Sequence, residues 1–63
     1  EMPMKPKEMM QLLESKGFKL IRVNGSHHFY ENKETNKRVV VPAHTKDLKK
    51  GTEQRILKDA GLK

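Results

Sequence analysis

Asn24-Gly25 stands between two short runs rich in β-branched and aromatic residues, 18–23 and 26–32. A type I′ turn needs positive φ at both central residues, which Asn and Gly tolerate best, so the dipeptide predicts a two-residue β-hairpin. In a chain of 63 residues this fixes an antiparallel pair near the middle of the sequence. Two strands alone are marginal in water, so the flanking segments must complete the sheet and cover it. Residues 32–36 are polar and read as a second turn. A third strand follows over 37–42, ended by Pro42, which has no N–H to give the ladder. Within 18–23 the adjacent Leu20 and Ile21 break strict alternation, as a bulge or a strand buried on both faces would.

The two ends read as helices. In residues 6–16, Pro6 suits a first helical position, and Glu8 and Lys16 complement the helix dipole. Met9, Leu12 and Leu13 form an apolar stripe. Gly17 then caps the helix in the left-handed region, with Phe18 folding back on Leu13. The same device recurs at the other end, where Gly61 and Leu62 follow a helix over 49–60 that buries Ile56, Leu57 and Ala60. Gly51 leaves the start of that helix ill-defined, and residues 43–48 read as a loop. The predicted order is α-β-β-β-α, an α+β fold with a three-stranded antiparallel sheet and both helices on one face, in one domain over residues 1–63. Glu1, ahead of Met2, reads as a residue added in cloning and takes no part in this reading.

So small a domain buries one thin core and no deep pocket. The absence of cysteine excludes disulfides, thiolate zinc sites and thiol nucleophiles. With no signal peptide and no apolar run of spanning length, the expectation is a cytoplasmic protein. The charge is lopsided. Residues 1–36 hold six basic and five acidic side chains, a balance of +1, and residues 37–63 hold eight and three, a balance of +5. A basic half of this kind is the electrostatic footprint of a nucleic-acid binder, and equally of a well-solvated surface.

Three histidines, His27, His28 and His44, carry the chemistry. Neighbours on a strand point to opposite faces, so His27 and His28 do not share a metal ion, and His44 adds no recognisable ligand spacing. If Phe29 packs under the helices, His27 shares its face at the edge of the core, partly shielded, and His28 points to the open face. An imidazole there is suited to general acid–base work. It takes the proton of a ribose 2′-hydroxyl, which then attacks the neighbouring phosphate, while Lys and Arg offset the developing charge. A second acid is not evident; Glu31 shares the His27 face by parity, two pleats along. The plainer reading leaves the pair as polar residues beside a turn.

The sequence resembles the HicA family of toxins over residues 7–62. The landmarks are LLESKGF (12–18), NGSHHFY (24–30), VVVPAHTKDLKKGT (39–52) and ILKDAGL (56–62), and their combination at these spacings is specific. The resemblance implies a fold like the double-stranded-RNA-binding domain. It also implies a metal-independent endoribonuclease that cleaves mRNA, needs no cofactor, and is held off by a HicB-like antitoxin. The family's catalytic histidine follows Gly-Ser, here Gly25 and Ser26, and falls on His27. RNA-binding candidates are Arg22, Lys37, Arg38, Lys46, Lys49, Lys50, Arg55 and Lys58. Where the family often carries Pro, this chain has Lys49 and Lys50, which bears on how rigidly the second helix begins. Two other readings stand beside this one: a non-catalytic RNA-binding module of the same fold, and a domain whose positive face meets an acidic protein.

Overall fold

A computed structural model describes residues 4–44 and 46–63; the reading of Glu1 as an added residue, and Thr45 of the predicted loop, fall outside them. The order is α1 (Pro6–Ser15), β1 (Lys19–Asn24), β2 (His27–Asn32), β3 (Lys37–Pro42) and α2 (Lys50–Asp59). The strands form one antiparallel sheet in the order β1-β2-β3. The α-β-β-β-α reading therefore holds, and the resemblance to the double-stranded-RNA-binding domain fits this architecture.

Both helices end as expected. Gly17 has φ +95°; its N–H donates to the Glu14 carbonyl at 3.2 Å, and that of Phe18 donates to the Leu13 carbonyl at 3.0 Å. Gly61 has φ +75°; it and Leu62 donate to Lys58 and Leu57 at 3.0 and 2.9 Å. Each is a full Schellman motif, which satisfies two otherwise orphaned carbonyls. Lys16 forms the C-cap of α1, and its last turn contains no base. At the other end the Lys5 N–H donates to the Glu8 carboxylate at 2.8 Å.

Met9 and Leu13 of α1, Ile56 and Ala60 of α2, and Phe18, Tyr30, Val39, Val41 and Leu48 form one buried cluster. Tyr30 pairs with Val39, and Val41 lies two residues further along β3, so all three share the face that both helices cover. Burying side chains of the Leu and Ile kind contributes about 1.5–3 kcal/mol each. Asn32 is buried among them. Its Nδ2 donates to the Lys16 carbonyl at 3.1 Å. Its Oδ1 accepts the N–H groups of Glu34 and Thr35 at 2.9 and 3.3 Å. One side chain thus ties the end of α1 to the β2–β3 turn, which Asn36 closes at φ +59°.

Three expectations change. The first hairpin turns on Gly25-Ser26, because Asn24 remains in β1 and pairs with His27. Gly25 alone takes positive φ, +63°, the pattern of a type II′ turn with Gly first. Second, β1 resolves its broken alternation with a bulge between Leu20 and Arg22; it is exposed along its whole length, not buried on both faces. Third, Tyr30 rather than Phe29 lies under the helices. Its ring fills the core while its hydroxyl reaches Glu14 on α1 at 3.5 Å, a combination Phe29 does not offer.

Candidate functional site

The face of β2 that carries Phe29 is the open face of the sheet, and His27 goes with it. His27 is exposed, not shielded at the edge of the core as its parity with Phe29 had suggested. His28 correspondingly moves to the helix side, where it is half-buried beside Val41 and Val23. Its Nδ1 lies 3.3 Å from the Ser26 carbonyl. A carbonyl only accepts, so this contact places a proton on Nδ1. The contact links the His28 ring to the Gly25-Ser26 turn.

Ser26 organises the site through the same carbonyl, which also accepts the Ala43 N–H at 2.7 Å. That bond carries the ladder one step past Pro42, the partner of His27. It fastens the segment after β3 beneath the hairpin turn. The result is that His44 comes to His27, with ring centroids 6.2 Å apart and planes inclined by 53°. Both imidazoles are exposed. His44 was legible in the sequence only as a poor metal ligand; its approach depends on the Ser26–Ala43 contact. Among the described residues no group of three or more His, Cys, Asp and Glu could hold a metal ion.

The basic candidates divide by position. Arg22 pairs with Phe29 and sets its guanidinium 4.5 Å above the ring, a cation–π contact. Arg38 pairs with Glu31 and donates from Nε to its carboxylate at 2.8 Å. Glu31 is therefore engaged with Arg38, and at four residues from His27 along β2 it stands about 13 Å away; it is not the second acid. Lys37 lies at the far end of β3, packed over Gly61, and Lys58 is in the last turn of α2. Since Gly61 meets the start of β3, α2 begins near the other end, where β3 reaches His27. Lys46, Lys49 and Lys50 belong to that end, around a helix N-terminus that no side chain caps. Arg55 is exposed on α2, on the helix side of the sheet, and lines one cavity with Arg22, Phe29 and Arg38.

A small basic α+β domain with paired imidazoles on an uncovered sheet face is the class that fold and site define. The family model described as the HicA toxin of bacterial toxin–antitoxin systems matches residues 6–62, and the chain belongs to that family. It is thus a toxin of a toxin–antitoxin pair, whose partner is an antitoxin. No curated protein matches the chain. No helix among the described residues is long and apolar enough to cross a membrane.

Proposed function

We propose that this toxin is an endoribonuclease that cuts mRNA and so stops translation in the cytoplasm. The observation that carries the reading is the exposed His27 ring on the open face with His44 at 6.2 Å. Two hydrogen bonds of about 2.7–3.0 Å meeting at one phosphate span a gap of this order. Neutral His27 takes the proton of a ribose 2′-hydroxyl. The 2′-oxygen attacks phosphorus, the bond to the 5′-oxygen breaks, and protonated His44 gives its proton to the leaving oxygen. The products are a 2′,3′-cyclic phosphate and a 5′-hydroxyl. All the proton transfers fall to imidazoles, so the reaction needs no metal ion. Each correctly placed acid or base is worth about 10²–10⁴ in rate.

Gly25 and Ser26 make the turn that presents His27, and the Ser26 carbonyl places His44. Phosphates are held by the cations at the His27 end, Lys46, Lys49 and Lys50, with Arg22 and Arg38 along the open face. Lys37 and Lys58 stand too far away for the scissile phosphate and bear at most on distant parts of a long RNA. The antitoxin is of the HicB kind and neutralises by covering the basic, histidine-bearing face. Incubating the protein with a labelled transcript in EDTA tests the reading. Shortened products with cyclic phosphate ends support it, whereas an intact but retarded band identifies a binding module of the same fold.

A further inference from the structure

We infer that the open face holds a subsite for one unpaired nucleobase, built on the Arg22–Phe29 pair next to His27. This rests on the ribonuclease reading for its place in the reaction, but not for the binding itself. A cavity of about 560 Å³ is lined by Arg22, Phe29, Arg38 and Val40 of the open face and extends to Tyr30 and Val39 of the helix-covered face and to α2. That is the size of a small-ligand site, of the order of 300–1,000 Å³. On the open face it offers the Phe29 ring and Val40 beside the guanidinium groups of Arg22 and Arg38.

The bulge creates this arrangement. Ile21 and Arg22 together stand opposite Phe29, so one more side chain than a regular strand provides reaches the cavity. Arg22 then lies 4.5 Å above the Phe29 ring and is itself exposed. Bases unstacked from a single strand pack on aromatic rings and on guanidinium planes, and unpaired bases are the ones proteins read in RNA. Double-stranded RNA keeps its bases stacked inside and offers no such face.

The distance to His27 fits as well. Phe29 and His27 are alternate residues of β2 on one face, about 7 Å apart along the strand. A base on Arg22 and Phe29 therefore puts its own or the adjoining ribose beside the imidazole pair. The subsite makes the toxin a reader of single-stranded segments, and Arg22 and Phe29 its positioning residues.

Nuclear magnetic resonance titration of the intact protein with adenosine 5′-monophosphate and, separately, with ribose 5-phosphate tests this without any cleavage. The two probes share the phosphate and differ in the base. The nucleotide should bind roughly 5- to 150-fold more tightly, the range base stacking supplies, with ring-current shifts at Phe29 and at the Arg22 guanidinium. Arg22→Gln, at an exposed position, and Phe29→Leu should each remove most of that advantage. Equal affinity for the two probes, or nucleotide shifts that avoid Phe29 and Arg22, overturns the subsite. If the protein cuts RNA but fails this titration, the cleavage reading stands and the subsite falls; the reverse pattern leaves a base-binding face without chemistry.

Discussion

Replacing Gly17 by Ala should destabilise the fold more than the same change at Gly61, although both glycines cap helices with positive φ. A non-glycine residue in the left-handed region costs about 1–2 kcal/mol, and that term is common to both. The surroundings differ. A Cβ on Gly17 would stand 3.2 Å from Asn32 Nδ2, the atom that donates to the Lys16 carbonyl at 3.1 Å. Asn32 is buried and fixed by two further bonds to the turn, so it gives way only by weakening its bond to α1. That adds about 0.5–1.5 kcal/mol. A Cβ on Gly61 would meet Lys37 Cε at 2.8 Å, the far end of a flexible, exposed chain that swings aside at little cost. The expected losses are about 1.5–3.5 kcal/mol for Gly17→Ala and about 1–2 kcal/mol for Gly61→Ala. In a domain of this size 1 kcal/mol shifts Tm by roughly 4–8 °C, so thermal melts followed by far-ultraviolet circular dichroism resolve the gap. Adding Asn32→Ala to each should close it, since the coupling is then gone. Equal losses in the single variants, or a gap that survives Asn32→Ala, would refute the role given to Asn32.

Other outcomes follow from the same structure. His27→Ala, at an exposed position, should leave Tm within the scatter of surface changes, about ±0.5 kcal/mol, while cleavage falls by about 10²-fold or more. Cleavage by the parent should follow a bell-shaped pH profile, because one imidazole acts neutral and the other protonated; His44→Ala should flatten one limb. Tyr30, the single tyrosine, has its phenol pKa raised above 10.0 by burial first, then by the charge of Glu14 and the hydrogen bond to it. The fold thus favours the neutral phenol: this contribution is complete below pH 10.0 and is lost as pH rises towards and through the raised value. Phenolate absorbance should show a midpoint above that of the unfolded chain, and Tyr30→Phe should reduce the alkaline loss of stability. Neutralising Lys46, Lys49 and Lys50 together should lower the salt slope of single-stranded RNA binding by about 2, whereas neutralising Lys37 and Lys58 should change it little.

Local signals carried most of the architecture. Gly17 and Gly61 marked the helix ends and Pro42 the end of β3, because each is decided by its own backbone chemistry, while the adjacent Leu20 and Ile21 left a bulge and a strand buried on both faces equally open. The faces of the sheet were not decided locally. HHFY and VVV offer apolar residues to both sides, and only the packing of Tyr30 against Glu14 and α1 chooses between them. Placing Phe29 inside carried His27 and His28 to the wrong surroundings, though their separation onto opposite faces was right. The turn slipped by one residue because Asn24-Gly25 and Gly25-Ser26 both satisfy a two-residue hairpin, in different turn types. His44 as the companion of His27 depends on a bond from Ser26 to Ala43, and no spacing rule anticipates a contact between a turn and a loop. The Arg22–Phe29 pair was hidden for the same reason: it takes a bulge on β1 and a ring on β2.

The most direct measurement is the rate at which purified parent, His27→Ala and His44→Ala proteins shorten one labelled single-stranded transcript in EDTA. The parent should cut it, and each variant should be slower by about 10²-fold or more, with circular dichroism spectra that match the parent's. A His27→Ala protein that cuts at the parental rate would contradict the account.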